Sequence, residues 1–527
     1  MLATPQNPLI ALEIHDVSFW EPRRVLPILP VMEKWGYNAL VLHQNDLLDV
    51  CTQLGLTANY GVSDLRLKKV RNNAAWLNRL VDLLATFDAK LFLEIKEPSF
   101  HDYVQEMFPA LFAPDGTADL GSEGWADFCR SKVDDLLSRV PGIGGLVVNL
   151  SSPESRVSMP DLAATADRPL DLPGWFDSMI AAFRKPLAAQ GKALWVRDFS
   201  YTAVVQSDVL AAINRCEGTV GASVKATAHD YFPEFPDNPG ASAVTAPLIL
   251  EFDASGEHMG WGVIPNCRVE ELRHRMVFYR DVGAVGFLMR TSWEAISGMN
   301  ALDNLSAVNV FALPLLMHED RDAAAIVLEW LKEQFSVEGA AAKEAAELLL
   351  ESWHIPAAAY WDGKVFPRHS CLPSSWQEGW LSMETSGMGR RDRAMGIVPD
   401  DPRLSDAARV TLFREKEAAT CQASVLAARA EALKVDLPPD LAALFGAFRW
   451  LPLFARQFEL AIKSTFLAAR NRAEDRPEVS DLIARLDELA VQAEDQLSKM
   501  QDIPHHAHVL FDPEQIRRFA ASLQQDA

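Results

Sequence analysis

Eight short apolar runs mark roughly the first 300 residues, and stretches of helical spacing lie between them. They read LIALEI from Leu9, NALVLH from Asn38, KLFLEI from Lys90 and GGLVVNL from Gly144. KALWVR from Lys192, VGASVK from Val220, PLILEF from Pro247 and AVGFLM from Ala284 complete the set. Runs that stay apolar over successive positions fit parallel strands covered on both faces. Between them, WLNRLVDLLATF from Trp76 and WADFCRSKVDDLLSRV from Trp125 repeat apolar positions at helical intervals. Eight such units predict an α/β protein built on a (β/α)8 TIM barrel. No GxGxxG follows the first run, which speaks against a doubly wound sheet.

From about Asn304 the pattern changes to alanine-rich helix, as in DRDAAAIVLEWLKEQF and VSDLIARLDELAVQAEDQLSKM. The expected organisation is a catalytic barrel over residues 1–303 and a mainly α-helical C-terminal domain over 304–527. Residues 355–405, rich in Pro, Gly, Ser, Trp and Arg and including GMGRRDR, break the helical spacing. They are too long for a plain connector.

Composition narrows the function classes. A net charge of −22 excludes the basic footprint of a nucleic-acid binder but not a local site for an anionic small molecule. Six cysteines without a CxxC give neither a zinc ribbon nor a disulfide framework. No segment reads as a signal peptide or a membrane span, so the default expectation is a cytoplasmic protein with no membrane partner.

In such barrels the chemistry sits where the strands end, at their C-terminal face. Strand 1 offers His15 and Asp16 there, strand 2 His43 and Asn45, strand 3 Glu94, Lys96 and Glu97, and strand 4 is followed by Glu154. Strand 5 offers Arg197, Asp198 and Tyr201, strand 6 Lys225, His229 and Asp230, strand 7 Asp253, Glu257 and His258, and strand 8 Arg290 and Trp293. Carboxylates after strands 4, 6 and 7 suit glycosidic bond hydrolysis, in which one acid protonates the leaving oxygen and another carboxylate activates water. Each is equally a candidate for an ordinary solvated or ion-paired loop residue.

These segments resemble, in order, the α-glucuronidases that remove uronic acid side chains from xylan. WGYNALVLHQND is similar to that family's strand-2 entry, GIGGLVVNLSSPES to its strand-4 segment and ALWVRDFSY to its strand-5 segment. VKATAHDYF resembles strand 6, ILEFDASGEHMGW strand 7, and AVNVFALPLLMHEDRDAAAIVLEWLKEQF the start of the helical domain. The resemblance implies an inverting glycoside hydrolase with no cofactor and no metal, acting on an oligosaccharide that carries a uronic acid. Glu154 is then the general acid, held in a poorly solvated pocket. Asp230 and Glu257 jointly activate water, and Arg197 and Lys225 grip the substrate carboxylate. His43, Asn45, Tyr201, His229 and Trp293 join the substrate-binding rim. The bland alternative pairs Arg197 with Asp198 and Lys225 with Asp230.

Two departures stand out: Leu150 occupies a strand-4 position where the family carries a cation, and strand 1 begins near Leu9 without the family's preceding β-rich domain. The helical domain could make a homodimer, as it does in that family, or pack its apolar faces on the barrel. Two other readings compete, apart from a glycosidase of different sugar specificity. His15, His43, His229 and His258 near strand ends suit a metal-dependent barrel hydrolase, although strand 1 lacks an HxH pair. A non-catalytic carbohydrate-binding barrel is the other.

Overall fold

The computed structural model describes the chain except for residues 1, 5–6, 55–63, 120, 123, 166–170, 229, 233–234, 297, 362–363, 367–368, 386–401, 500–504 and 525–527. All eight apolar runs are strands: β1 Leu9–Ile14, β2 Ala39–His43, β3 Lys90–Lys96, β4 Gly145–Asn149, β5 Ala193–Arg197, β6 Gly221–Lys225, β7 Leu248–Asp253 and β8 Gly286–Arg290. They close into a barrel in sequence order, and the recorded pairings, including β1 with β8, are parallel. Crossovers such as the helices Asp64–Ala85, Gly124–Arg139 and Leu172–Ala189 cover the outside, which is why both faces of each strand are buried.

Within the strands a period-two order separates floor from rim. Leu9, Ala11, Ala39, Val41, Phe92, Val147, Trp195, Ile249 and Leu288 pack as one apolar cluster. Two residues further along the same strands come Glu13, His43, Glu94, Asn149, Arg197, Glu251 and Arg290, all buried. The floor is filled by Trp195, which needs Gly221 beside it. A Cβ at Gly221 would lie 2.2 Å from the Trp195 ring.

The chain forms two compact units. The first comprises Met1–Asp230, Asp237–Phe252 and Val277–Gly298, and so holds nearly all of the barrel. The second comprises Tyr231–Pro236, Asp253–Met276 and Met299–Ala527. In the second unit the helix Leu451–Arg470 is buried along most of its length and packs against the helices Asp406–Leu433 and Arg476–Ser498. The segment that breaks the helical pattern has order of its own. Tyr360–Trp361 pairs antiparallel with Lys364–Val365, and the helix Trp376–Thr385 brings Trp380 to 5.3 Å from Trp361, ring to ring. The GMGRRDR stretch lies outside the described residues. No helix among the described residues is long and apolar enough to cross a membrane.

Candidate active site

The barrel mouth has two layers. The lower one is a buried ion network inside the strands. Arg197, only 2% exposed, donates from Nε to both oxygens of Glu251 at 2.9 Å, and its Nη1 lies 2.9 Å from Glu94. Ser223 adds a hydrogen bond to Glu251 at 2.6 Å. Burial works to raise the Glu251 pKa, but Arg197 and these hydrogen bonds outweigh it, and the carboxyl ends below its ordinary range. Glu94 is pushed up to about 7 by burial, because it has only a share of Arg197. Glu13 is held well above the usual carboxylate range by burial and by the Glu94 charge.

This network gives Arg197, expected as a clamp for a substrate carboxylate, partners inside the barrel. Its guanidinium fork is engaged beneath the surface by Glu251 and Glu94. Nor does it neutralise Asp198, which accepts from Ser200 and Gln206 instead. His43, expected at the rim, belongs to this buried layer. It is fully buried, stacks on His15 with ring centroids 3.5 Å apart, and sets Nδ1 2.7 Å from Glu13. Burial and then His15 drive its pKa well down, with Lys96, Arg197 and Arg290 acting in the same sense. Glu13, His15 and His43 place donor atoms within 4.8 Å of one another, a spacing a metal could use. The three cations bearing on His43 oppose a further positive charge there.

The upper layer reaches solvent. Lys96, at the end of β3, is 1% exposed and donates to Glu154 at 2.5 Å, with Glu294 at 3.9 Å on another side. Glu154 follows β4 on a turn held by Asn149, which accepts from Ser151 N–H, and by Ser152, which accepts from Glu154 N–H. Its side chain is 41% exposed, so the described residues of this unit do not enclose it in the poorly solvated pocket expected for it. The turn is built of serines rather than apolar residues, and a buried ammonium faces it. Beyond β6, Lys225 donates to Asp230 at 2.6 Å, as the bland pairing had it. Phe199, after β5, ties the lysines together. Lys225 Nζ lies 3.8 Å from its ring centroid, Lys96 Nζ 5.9 Å and the Arg197 guanidinium 5.5 Å. Tyr201 packs edge-on against the same ring at 5.6 Å.

Of the remaining rim candidates, Asn45 is partly buried, and its Oδ1 makes no hydrogen bond among the described residues. Trp293 is partly exposed on the β8 loop. That loop is stitched to β1 by Thr291, which donates to the Glu13 carbonyl, and by Ser292, which accepts from His15 N–H. The stitching sets Glu294 against His15 as well as near Lys96. His229 lies outside the described residues.

Glu257 belongs to the second unit. Asp253 accepts from the backbone N–H of Ser255, Gly256 and Glu257, which folds the turn after β7. Glu257 Oε1 lies 2.8 Å from Nδ1 of His369 and 3.6 Å from Nε2 of His258. These three groups also have donor atoms within 4.8 Å of one another.

Among the members of these clusters that the sequence alone does not mark out are Phe199, Glu294 and His369. Phe199 carried the visible signal of an aromatic two residues beyond a strand-end arginine. Glu294 lay four residues beyond β8, where the reading stopped at Trp293. His369 lay in a segment with no motif to place it.

No family model matches the chain, and no curated relative is found. Among solved structures, the fold is similar to that of a GH138 enzyme targeting pectin rhamnogalacturonan II, with 11% identity and a TM-score of 0.63. The superposition covers 94% of this chain and 62% of the other, so the chain spans less than two thirds of that protein. A Thermobaculum terrenum O-GlcNAc hydrolase mutant matches 98% of this chain and 94% of its own at 10% identity, with a TM-score of 0.46. A β-N-acetylhexosaminidase from Bacteroides fragilis matches 62% and 70% at 10%, with a TM-score of 0.41. The first of these shows a shared fold; the other two superpositions are too loose to add to it.

Proposed function

We propose that the chain is a glycoside hydrolase that releases a uronic acid, or a related sugar, from an oligosaccharide by general acid/base catalysis with inversion. The observation that carries this reading is the pair of lysine-held carboxylates at the barrel mouth. Glu154 is mounted on Lys96 and Asp230 on Lys225, and both lysines lie near the Phe199 ring. Two carboxylates on different strand-end loops are what acid and base need when they act from opposite sides of a sugar. The similarity of fold to an enzyme targeting pectin rhamnogalacturonan II is consistent with a carbohydrate substrate.

In this reading Glu154 protonates the leaving oxygen. Asp230 and Glu257 are the water-activating carboxylates, on the strength of the strand-6 and strand-7 motifs. The cation absent at Leu150 is made good by Lys96, which together with Lys225 gives an anionic sugar two ammonium groups to exchange onto. Inversion requires room for a water, about 6.5–9.5 Å between the acting carboxyls.

The test is a screen of the purified protein on uronic-acid-bearing and neutral oligosaccharides, with NMR of the first-formed anomer. Release of a uronic acid with inverted configuration is expected. Tight binding without turnover on any glycoside would replace this reading with a non-catalytic carbohydrate-binding barrel.

A further inference from the structure

Within the second unit, the irregular segment after residue 355 delivers two side chains to Glu257. His369 sets Nδ1 2.8 Å from Oε1 of the carboxylate. Ser370 Oγ donates to the Glu257 carbonyl at 2.9 Å and accepts from Gly260 N–H at 2.8 Å. The same glutamate is therefore held by its side chain and by its backbone from one dipeptide.

That dipeptide is strained. His369 has φ 50° and Ser370 φ 65°, two successive non-glycine residues in the left-handed region. Each such residue costs on the order of 1–3 kcal/mol and persists where its surroundings over-determine it. Here the left-handed pair turns both side chains onto Glu257. A plain connector needs no such geometry.

We infer that His369 is a positioning residue for Glu257, which orients its carboxylate for proton abstraction from the attacking water. This rests on the reading of Glu257 as a water-activating base. An ionised carboxylate only accepts hydrogen bonds, so Nδ1 of His369 carries the proton in this contact. With Oε1 fixed by that N–H, Oε2 takes the proton from water. The water oxygen bonds to the anomeric carbon as the glycosidic C–O bond breaks, and the leaving oxygen takes the proton of Glu154. His369 itself exchanges no proton with substrate. Glu257 is 5% exposed at its side chain and His369 37%, so the histidine is the solvent-side member of the pair.

The same atoms could instead bracket a divalent cation with His258. The 2.8 Å separation of Nδ1 and Oε1 is that of a direct hydrogen bond.

His369→Gly is the variant of choice, because glycine relaxes at φ 50° and the fold should survive. Glu257→Gln runs beside it on the best uronic-acid-bearing oligosaccharide found in the screen. We expect Glu257→Gln to abolish turnover. His369→Gly should lower kcat about 10- to 100-fold, short of the roughly 10²–10⁴-fold that general-base catalysis supplies. KM should change by less than about twofold, and added imidazole should restore several-fold of kcat, which no purely structural role predicts.

Nitrogen-15 NMR of His369 supplies a readout independent of substrate, with an Nδ1–H tautomer in the wild type that Glu257→Gln perturbs. Wild-type kcat in His369→Gly with Glu257→Gln inactive would overturn the inference alone. Full activity in Glu257→Gln would remove the base assignment and the inference with it. An Nε2–H tautomer, or activity lost on chelation and restored by zinc, would also overturn the positioning role.

Discussion

Replacing Arg197 by methionine separates a structural ion pair from a substrate clamp. The substitution keeps most of the volume but leaves Glu251 and Glu94, both fully buried, without the guanidinium that lies 2.9 Å from each. Removing one partner of a buried pair costs about 3–5 kcal/mol, because the remaining charge has lost its compensation.

The pH dependence gives the sign. In the wild type the Glu251 pKa is lowered, so that group contributes stability above its ordinary value of 4.5 and loses it as pH falls. In the variant, burial, the largest influence on Glu251, is opposed only by the Ser223 hydrogen bond and the Lys225 charge, so its pKa should rise and its contribution be lost as pH rises instead. The stability gap between wild type and variant should therefore be widest near pH 8 and shrink towards pH 5. Urea unfolding followed by tryptophan fluorescence measures it. Combining Arg197→Met with Glu251→Gln should recover part of the loss, since the two changes share one interaction. A pH-independent loss below about 1 kcal/mol, with KM for a uronic acid raised more than for its neutral analogue, would refute this reasoning and restore Arg197 as a clamp.

Other expectations follow from the same geometry. Glu94→Gln should progressively outperform the wild type as pH rises. The Glu94 pKa is raised from 4.5 to about 7, so the stability it contributes below 4.5 is lost as pH climbs through 7. Over that window the difference is about 3 kcal/mol, read from urea midpoints across pH. Lys132→Met should destabilise by about 3–5 kcal/mol, because Lys132 holds Glu97 at 2.7 Å and Asp49 at 3.0 Å in full burial; a variant as stable as the parent would refute this. Glu154→Ala should slow substrates with poor leaving groups far more than activated aryl glycosides, which need little protonation, and equal losses would remove Glu154 from the acid role. Exhaustive chelation should leave turnover unchanged, whereas a loss restored by added metal would point to the histidine clusters.

The barrel was legible because burial on both strand faces leaves a strong mark: runs such as LIALEI and ALWVR stay apolar at nearly every position. The same density hid the polar layer. Glu13 and Glu251 sit inside such runs, and only closure of the barrel shows that they share one interior with Arg197 and Arg290. Arg197 was visible as a strand-end cation. Its pairing with Glu94 and Glu251 was not, since they lie 103 residues before and 54 residues after it in sequence. Glu154 and Asp230 could be read from motifs, yet the lysines that hold them and the Phe199 ring near both required three-dimensional placement. His369 was beyond reach for a different reason. Its position depends on two left-handed residues that no local preference predicts.

The two-layer mouth has a consequence for how the molecule could diversify. Much of the lower layer is balanced within the strands, with Arg197 answered by Glu251 and Glu94 and with His43 facing Glu13. The upper-layer carboxylates Glu154, Asp230 and Glu294 stand on separate loops after β4, β6 and β8. Substitutions in one loop can thus change what the mouth recognises while leaving the charge inventory of the interior as it was. The barrel interior behaves as a fixed chassis, and new specificities can be tried one loop at a time.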